Sequence, residues 1–231
     1  MISYCGAPPH PYDWIQRWNF DPFLLVTLAV AAAVALRSAQ PRFALASVGV
    51  LAVAFVSPVC ALSVALFSVR AVHHVLLVAV AAPLAALALP GRGSKYLGIA
   101  FVASTATLWA WHLPSLYDRA LGNTAIYWLM QLSMLGTATW FWRELFAAPP
   151  VPASMVSVLA MAQMGMLGAL LTFAREPLYA THAASTLPWG LEQVTDQQLA
   201  GLVMWVPGLI PYALATALIE RQVWIRSAGT A

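Results

Sequence analysis

The chain has 231 residues, of which 61% are hydrophobic and only 8% are charged, and its mean hydropathy is +0.78. Soluble globular domains carry about 25% charged residues, so this composition excludes a soluble domain and indicates a polytopic membrane protein. The formal net charge of +3 is small, and no cluster of Lys or Arg accompanies it, which argues against nucleic-acid binding.

Seven apolar runs approach the length that crosses the ~30 Å hydrocarbon core of a bilayer as a helix. They span residues 23–36, 43–56, 60–89, 96–111, 124–146, 153–173 and 199–219. The third run would make roughly 45 Å of helix, so we expect it to tilt, to break or to begin outside the bilayer. Pro207 and Pro211 lie inside the seventh run and should kink it. The sequence therefore predicts an all-α, polytopic transmembrane bundle of about seven helices.

The positive residues of the predicted loops set the expected orientation, because Lys and Arg concentrate on the cytoplasmic side. One side receives Arg37, Arg42, Arg92, Lys95, Arg143, Arg221 and Arg226, and the other receives Arg17, Arg119 and Arg175. We therefore expect an extracytoplasmic N-terminal segment (1–22), a seven-helix membrane domain (23–221) and a cytoplasmic C-terminal tail (222–231). The start of the chain lacks the basic and apolar regions of a cleavable signal peptide.

Three ionisable residues, Arg70, His73 and His74, lie within the third run at spacings that place them on one flank of a helix. Ionisable groups inside a membrane span are costly and so indicate a functional site, here one for a metal ion or for protons. The alternative is that Arg70 reaches the lipid headgroups while both histidines bond to backbone carbonyls. Repulsion from Arg70 also disfavours a cation beside the histidines.

His112 closes the fourth run in the stretch WAWHLPSLYD, where the following Leu-Pro pair must end the helix. By itself His112 is an ordinary interfacial residue, but across a helix pair from His74 it becomes a candidate metal ligand. The predicted topology also places Cys5 and Cys60 on the outer side. An oxidising compartment permits a disulfide there, although two cysteines do not establish one.

The fifth and sixth runs carry further candidate donors, among them Met130 and Gln131. Thioethers suit Cu(I), but methionines at helical spacing more often fill the core, and we favour that interpretation. Gly165 and Gly168 in the sixth run are predicted to permit close contact between helices.

The stretch TDQQLAG opens the seventh run. We expect Asp196 to cap the helix that follows it, although it could also hold a partner or a metal, and Gln197 to lie beside it at the outer interface. No GxSxG, phosphate-loop, HExxH or CxxC motif occurs in the sequence, so we do not expect an enzyme.

In order and spacing, these segments resemble the CtaG-type cytochrome c oxidase assembly factors, multi-helix membrane proteins of bacteria. The resemblance extends over nearly the whole chain and rests on WNFDPFLL, the SP pair at 57–58, FSVRAVHHVLLVAVAAPL, WAWHLPSLYD, GALLTFAREPLY and DQQLAGLVMWVPG. It implies a multi-pass protein of the bacterial cytoplasmic (inner) membrane that supports copper insertion into the core of a haem-copper (cytochrome c) oxidase. The implied partners are the oxidase subunits and the lipid bilayer, with no nucleic acid.

The resemblance also implies a Cu(I) site formed by His74 and His112, with His73 as a further candidate ligand. The family pattern has two histidines four apart in the third segment, and Arg70 stands at the first of these positions. A further family histidine is expected near Gln131, where this chain has none. Because metal affinity depends on the number of ligands, we expect a weakened copper site. The residues expected to support the site are Arg70, Met130, Gln131, Asp196 and Gln197.

Two alternatives follow from the same residues. The missing ligands and the apolar, Trp-rich surfaces motivate the first alternative, a permanently bound, non-catalytic accessory subunit of a respiratory oxidase that has lost copper transfer. His74 and His112 could otherwise serve as the axial ligands of a b-type haem, which the resemblance does not support.

Overall fold

The computed structural model describes residues 3–89 and 93–228, and helices make up its regular secondary structure apart from one isolated bridge between Ser3 and Gly6. In these described ranges there are eleven α-helices. In chain order they are α1 (Pro22–Leu36), α2 (Pro41–Val56), α3 (Val59–Ala65), α4 (Phe67–Val75), α5 (Ala82–Ala88), α6 (Leu97–Trp111), α7 (Pro114–Gly122), α8 (Thr124–Ala147), α9 (Pro150–Phe173), α10 (Gln193–Trp205) and α11 (Ile210–Ala228).

Three continuous helical stretches within the described residues are long and apolar enough to cross a membrane, namely Phe67–Ala88, Pro150–Phe173 and Gln193–Arg221. A fourth is added if α2 and α3, which meet at a bend of 47°, form one broken span. The all-helical fold is therefore confirmed, and it contains helices of a length and composition suited to crossing a membrane. The count of seven spans and the orientation of the termini stay predictions, and Arg92 and the side chain of Arg226, which entered that prediction, lie outside the described part of the chain.

Of the three expectations for the long third run, the structure shows a break, which lies at Leu66. This residue adopts an extended conformation, with φ −123° and ψ 128°, between the end of α3 and the start of α4. Asp196 of α10 satisfies the free amides at the start of α4, accepting hydrogen bonds from the backbone N–H of Phe67 at 2.6 Å and of Ser68 at 3.2 Å. The buried break is thus capped by a carboxylate from a distant part of the sequence.

The prediction that Asp196 caps its own helix is wrong. Helix α10 begins at Gln193 and its N-cap is Glu192, so Asp196 lies already in the first turn. Its side chain instead reaches across to α4. There it is the only carboxylate in the described structure that accepts hydrogen bonds from the first residues of that helix.

Between α4 and α5 the helix widens into a π-helical stretch, Leu76–Ala81, without interrupting the span. Pro83, at the start of α5, has no N–H to donate to the preceding turn. Side chains from neighbouring helices bond to carbonyls of this stretch: Trp142 Nε1 donates to Val78 at 2.8 Å and Ser47 Oγ to Ala81 at 2.9 Å. These bonds hold the irregular helix against α2 and α8.

Helices α9 and α10 approach each other at two glycines. A Cβ added to Gly168 would lie 2.8 Å from the carbonyl oxygen of Gly201, and one added to Gly201 would lie 2.3 Å from Thr172 Oγ1. The predicted close contact is confirmed at Gly168. At Gly165 an added Cβ would meet Trp205 at an ordinary 3.6 Å, so that glycine is not required by the packing.

A disulfide joins Cys5 of the N-terminal segment to Cys60 of α3, with the Cα atoms 5.3 Å apart. The same segment is held by Tyr4, whose hydroxyl donates to the Asp21 carboxylate at 2.9 Å. This bond lowers the pKa of Asp21, which also caps α1. The N-terminal segment is therefore fixed to the end of the bundle at which α4 and α10 begin.

Candidate metal centre

His112 follows the last residue of α6, and its ring is held by the helix that it ends. Its Nδ1 lies 2.7 Å from the carbonyl oxygen of Leu108. Because a carbonyl can only accept, Nδ1 carries the proton and Nε2 keeps a lone pair. Nε2 has no hydrogen-bond partner among the described residues, and the side chain is buried. This is the arrangement of a metal-binding histidine whose other nitrogen is anchored to a carbonyl.

The ring of His74 faces that of His112. Their centroids are 5.6 Å apart and the ring planes are nearly perpendicular, at 80°. Both nitrogens of His74 are buried and without a hydrogen-bond partner in the part of the chain described. An imidazole nitrogen lies about 2 Å from a bound transition metal, so the two rings are close enough to share one ion.

His73 points elsewhere, because consecutive residues of a helix are rotated by about 100°. Its ring meets Phe55 of α2 edge-on, with centroids 4.9 Å apart, and its centroid is 6.0 Å from that of His74. Within residues 3–89 and 93–228, no three His, Cys, Asp or Glu side chains form a group that could hold a metal. The two cysteines are oxidised to a disulfide and supply no thiolate. The structure thus brings two of the three candidate histidines together.

Arg70 is completely buried, so the interpretation that it reaches the lipid headgroups is wrong. Its Nε donates to the carbonyl of Ser63 at 3.2 Å, and its Cζ lies 5.5 Å from the centroid of the Tyr127 ring. Nη1 and Nη2 have no hydrogen-bond partner within the described ranges. A full positive charge therefore lies inside the bundle on the helix that carries His73 and His74.

The other residues that were expected to support the site lie in different parts of the structure. Met130 and Gln131 are buried on α8, and both polar atoms of the Gln131 amide lack a partner in the described chain. Gln131 also lines a cavity of about 410 Å³ between α1, α2 and α8. Asp196 is engaged with the start of α4, and Gln197 accepts from the backbone N–H of Leu178 at 2.8 Å, which anchors the loop before α10.

Sequence reasoning missed a group of aromatic residues around this centre. Tyr117 of α7 and His182 of the loop before α10 are both buried, and the Tyr117 hydroxyl lies 2.8 Å from His182 Nε2. The Tyr179 hydroxyl donates to the backbone carbonyl of His112 at 2.9 Å. Tyr117 and Tyr179 both lie within segments on which the family resemblance rests. That resemblance was the one feature of the sequence that could have pointed to them.

Burial changes the acid–base behaviour of these residues. It lowers the pKa of His182 to about 4, and the nearby charge of Arg70 contributes in the same direction. Burial also raises the pKa of Tyr117 and of Tyr179. At neutral pH all three side chains are uncharged, so Arg70 is surrounded by neutral groups here.

The family model of the cytochrome c oxidase caa3 assembly factor (Caa3_CtaG) matches residues 98–227, more than half of the chain. The chain belongs to this family. No curated protein and no solved structure shows a significant match to it.

The residues that match the caa3 assembly factor family run from the start of α6 into α11 and include His112 and Gln131. Arg70, His73 and His74 precede the matched residues. The family assignment therefore rests on α6 to α11, whereas the partner of His112 is supplied by a helix outside that region.

Proposed function

We propose that this caa3-type assembly factor supports copper insertion into the core of a haem-copper oxidase by holding Cu(I) between His74 and His112. One observation carries the proposal: the bond to Leu108 leaves His112 Nε2 with a free lone pair, and the rings of His112 and His74 lie 5.6 Å apart. Copper is the cargo in this proposal, and no catalytic step is part of it.

Further residues complete the proposed site. Cu(I) is a soft ion for which imidazole and thioether donors are suitable. Met130 of α8 is fully buried and is a candidate for a thioether contact, and His73 becomes a third imidazole ligand if its ring turns away from Phe55. A centre with two firm ligands holds its ion less tightly than one with four, which suits a protein that passes copper on.

We also propose that the protein spans the bacterial inner membrane several times, with the Cys5–Cys60 end outside. Disulfides persist in oxidising compartments, and this bond lies at the end of the bundle from which α4 and α10 start. The proposed divisions are a segment 1–22 outside, a membrane domain 23–221 and a tail 222–231 in the cytoplasm. Copper then reaches the His74–His112 pair from the outer side.

Copper analysis of the full chain in mild detergent, loaded with Cu(I) under reducing conditions, tests the proposal. We expect one copper per chain in the wild type and its loss in both His74→Ala and His112→Ala. His10→Ala is the matched control, since His10 is exposed in the N-terminal segment, and it should keep the ion. Absence of copper from the wild type would sink the proposal.

A second candidate function is that of a permanent accessory subunit of the oxidase without copper transfer. The buried charge of Arg70 on the helix of His74 favours it, because a fixed cation opposes Cu(I). Purification in mild detergent separates the two functions. An accessory subunit retains stoichiometric oxidase subunits, whereas an assembly factor purifies largely alone. A Soret band in protein free of oxidase subunits would point instead to the haem alternative.

A further inference from the structure

The guanidinium of Arg70 has no opposite charge to balance it. The side chain is 0% exposed, and an arginine does not give up its proton in a protein. The ion pair found among the described residues joins Arg17 to Asp13 and does not involve Arg70. A buried, uncompensated charge is strongly destabilising, so a group that neutralises Arg70 would stabilise the fold.

Among the described residues, no carboxylate forms an ion pair with Arg70. The side chains that feel its charge are two tyrosines and three histidines on four different elements: Tyr117, Tyr127, His73, His74 and His182. Asp196 is committed to the start of α4, where it binds the amides of Phe67 and Ser68 and the Ser68 hydroxyl. These five side chains are neutral, and the Asp118 carboxylate, whose charge acts on Tyr117 and His182, accepts hydrogen bonds from Thr181.

Several of these dipoles can donate hydrogen bonds. Nη1 and Nη2 of Arg70 both lack an acceptor within the described structure. The Tyr127 hydroxyl lies 3.4 Å from Cys5 Sγ, a disulfide sulfur without a proton, so Tyr127 is the donor in a weak bond that is easily exchanged. The Tyr117 hydroxyl lies 2.8 Å from His182 Nε2, and the tautomer of His182 sets which of the two donates. Two N–H groups without acceptors and two tyrosine hydroxyls thus converge on a fixed positive charge.

We propose that Arg70, Tyr117 and Tyr127 form a binding site for a small monovalent anion, of which chloride is the simplest example. A water molecule could occupy the same place but would leave the positive charge uncompensated. An anion both neutralises the charge and accepts the free N–H and O–H bonds, which are stronger when the acceptor is charged. Because the guanidinium is completely buried, the ion has to be small.

This inference goes beyond the proposed copper function and does not depend on it. The anion site exists in the copper-free protein and is measured there. Its occupation also removes the repulsion that Arg70 would exert on a cation at His74, so one chain can hold both an arginine and Cu(I) within a single helix turn.

The test is a chloride titration of the copper-free full chain in mild detergent, with gluconate keeping the ionic strength constant. We expect a saturable rise in Tm with chloride, since a ligand that binds only the folded state stabilises it. Ion chromatography after exchange into gluconate detects an ion held too tightly to titrate, at one chloride per chain. If the wild type shows neither response nor retained chloride, the proposal is overturned.

Variants assign the effect to the site. Arg70→Gln should abolish both the Tm response and the retained chloride, while Arg175→Gln, at an exposed arginine, should leave them unchanged. If Arg70→Gln does not fold, the double variant Tyr117→Phe/Tyr127→Phe decides, because it keeps both rings and removes only the hydroxyls. It should weaken chloride binding about tenfold or more, and an unchanged affinity in that variant contradicts the proposal.

Discussion

At the scale of single residues, the centre combines a pair of neutral histidines with a buried arginine. In the proposed copper site, His74 and His112 offer imidazole lone pairs to one ion, while Arg70 stands one turn before His74 on the same helix. If the pair holds Cu(I), the charge of Arg70 opposes that binding without being a ligand.

Removing this charge should strengthen copper binding. In chloride-free gluconate buffer, where no chloride offsets the guanidinium, Arg70→Gln is expected to raise the affinity for Cu(I) about tenfold by relieving like-charge repulsion in a medium of intermediate dielectric constant. Competition with a Cu(I) chelator measures the affinity, and Arg175→Gln is the matched control. An affinity equal to or lower than that of the wild type would contradict the account.

His182 gives the fold a defined pH dependence. Its pKa is about 4 in the folded protein and about 6.5 in an unfolded chain, so the folded state binds fewer protons. The contribution of this residue to stability is fully present above pH 6.5 and is lost progressively as the pH falls from 6.5 towards 4. Thermal unfolding between pH 7.5 and 4 measures it.

The substitution His182→Gln should flatten this part of the pH profile, because glutamine does not titrate and still offers a polar group to Tyr117. His10→Gln, at an exposed histidine, should retain the wild-type profile. A His182→Gln protein with the same loss of Tm on acidification would rule out His182 as its source.

At the scale of helices, two non-local contacts hold the elements around the centre. One is the cap that Asp196 of α10 places on α4, and the other is the glycine contact between α9 and α10. Each can be disturbed by a single substitution that leaves His74 and His112 in place.

Replacing Asp196 by alanine leaves the buried amides of Phe67 and Ser68 without an acceptor, which should cost about 2–4 kcal/mol of unfolding free energy. Ser68→Ala is the control, since it removes only the hydroxyl bond to Asp196 and keeps both amide bonds. Denaturation in mixed micelles measures the free energy of unfolding of both variants. Equal losses of stability would show that the cap on α4 is unimportant.

Gly168→Ala should destabilise the contact between α9 and α10 by about 1–3 kcal/mol, because the new methyl group meets the backbone of Gly201. Gly136→Ala on α8 is matched to it, since nothing lies within 4 Å of a Cβ added there. That control should be neutral or slightly stabilising, as alanine is the better helix former. A Gly168→Ala variant as stable as the control would contradict the packing described.

The boundaries of several helices were predictable from local signals. Prolines and apolar runs placed α1, α6 and α9 within a few residues of their observed ends. The break at Leu66 could not be located, because no proline or glycine marks it and its stabilising partner lies 129 residues away. Helix α7 was missed because it is short and amphipathic, and a search for membrane-length apolar runs does not detect such an element.

At the scale of the whole molecule, the sequence predicted the proximity of His74 and His112, and the ring contact confirms it. The family assignment is also confirmed. The burial of His182 and its bond to Tyr117 were not predictable, since the loop that carries His182 has no periodic pattern. The pairing of Cys5 with Cys60 was likewise not predictable from two cysteines alone. This disulfide fixes the N-terminal segment to the bundle.

Copper K-edge X-ray absorption of the Cu(I)-loaded full chain tests the central claim most directly. We predict imidazole nitrogen scatterers at about 2 Å, whose signal disappears in both His74→Ala and His112→Ala and persists in His10→Ala. A loaded protein with no imidazole contribution, or one whose spectrum is unchanged by removal of His74 and of His112, would contradict the claim that this pair holds the ion.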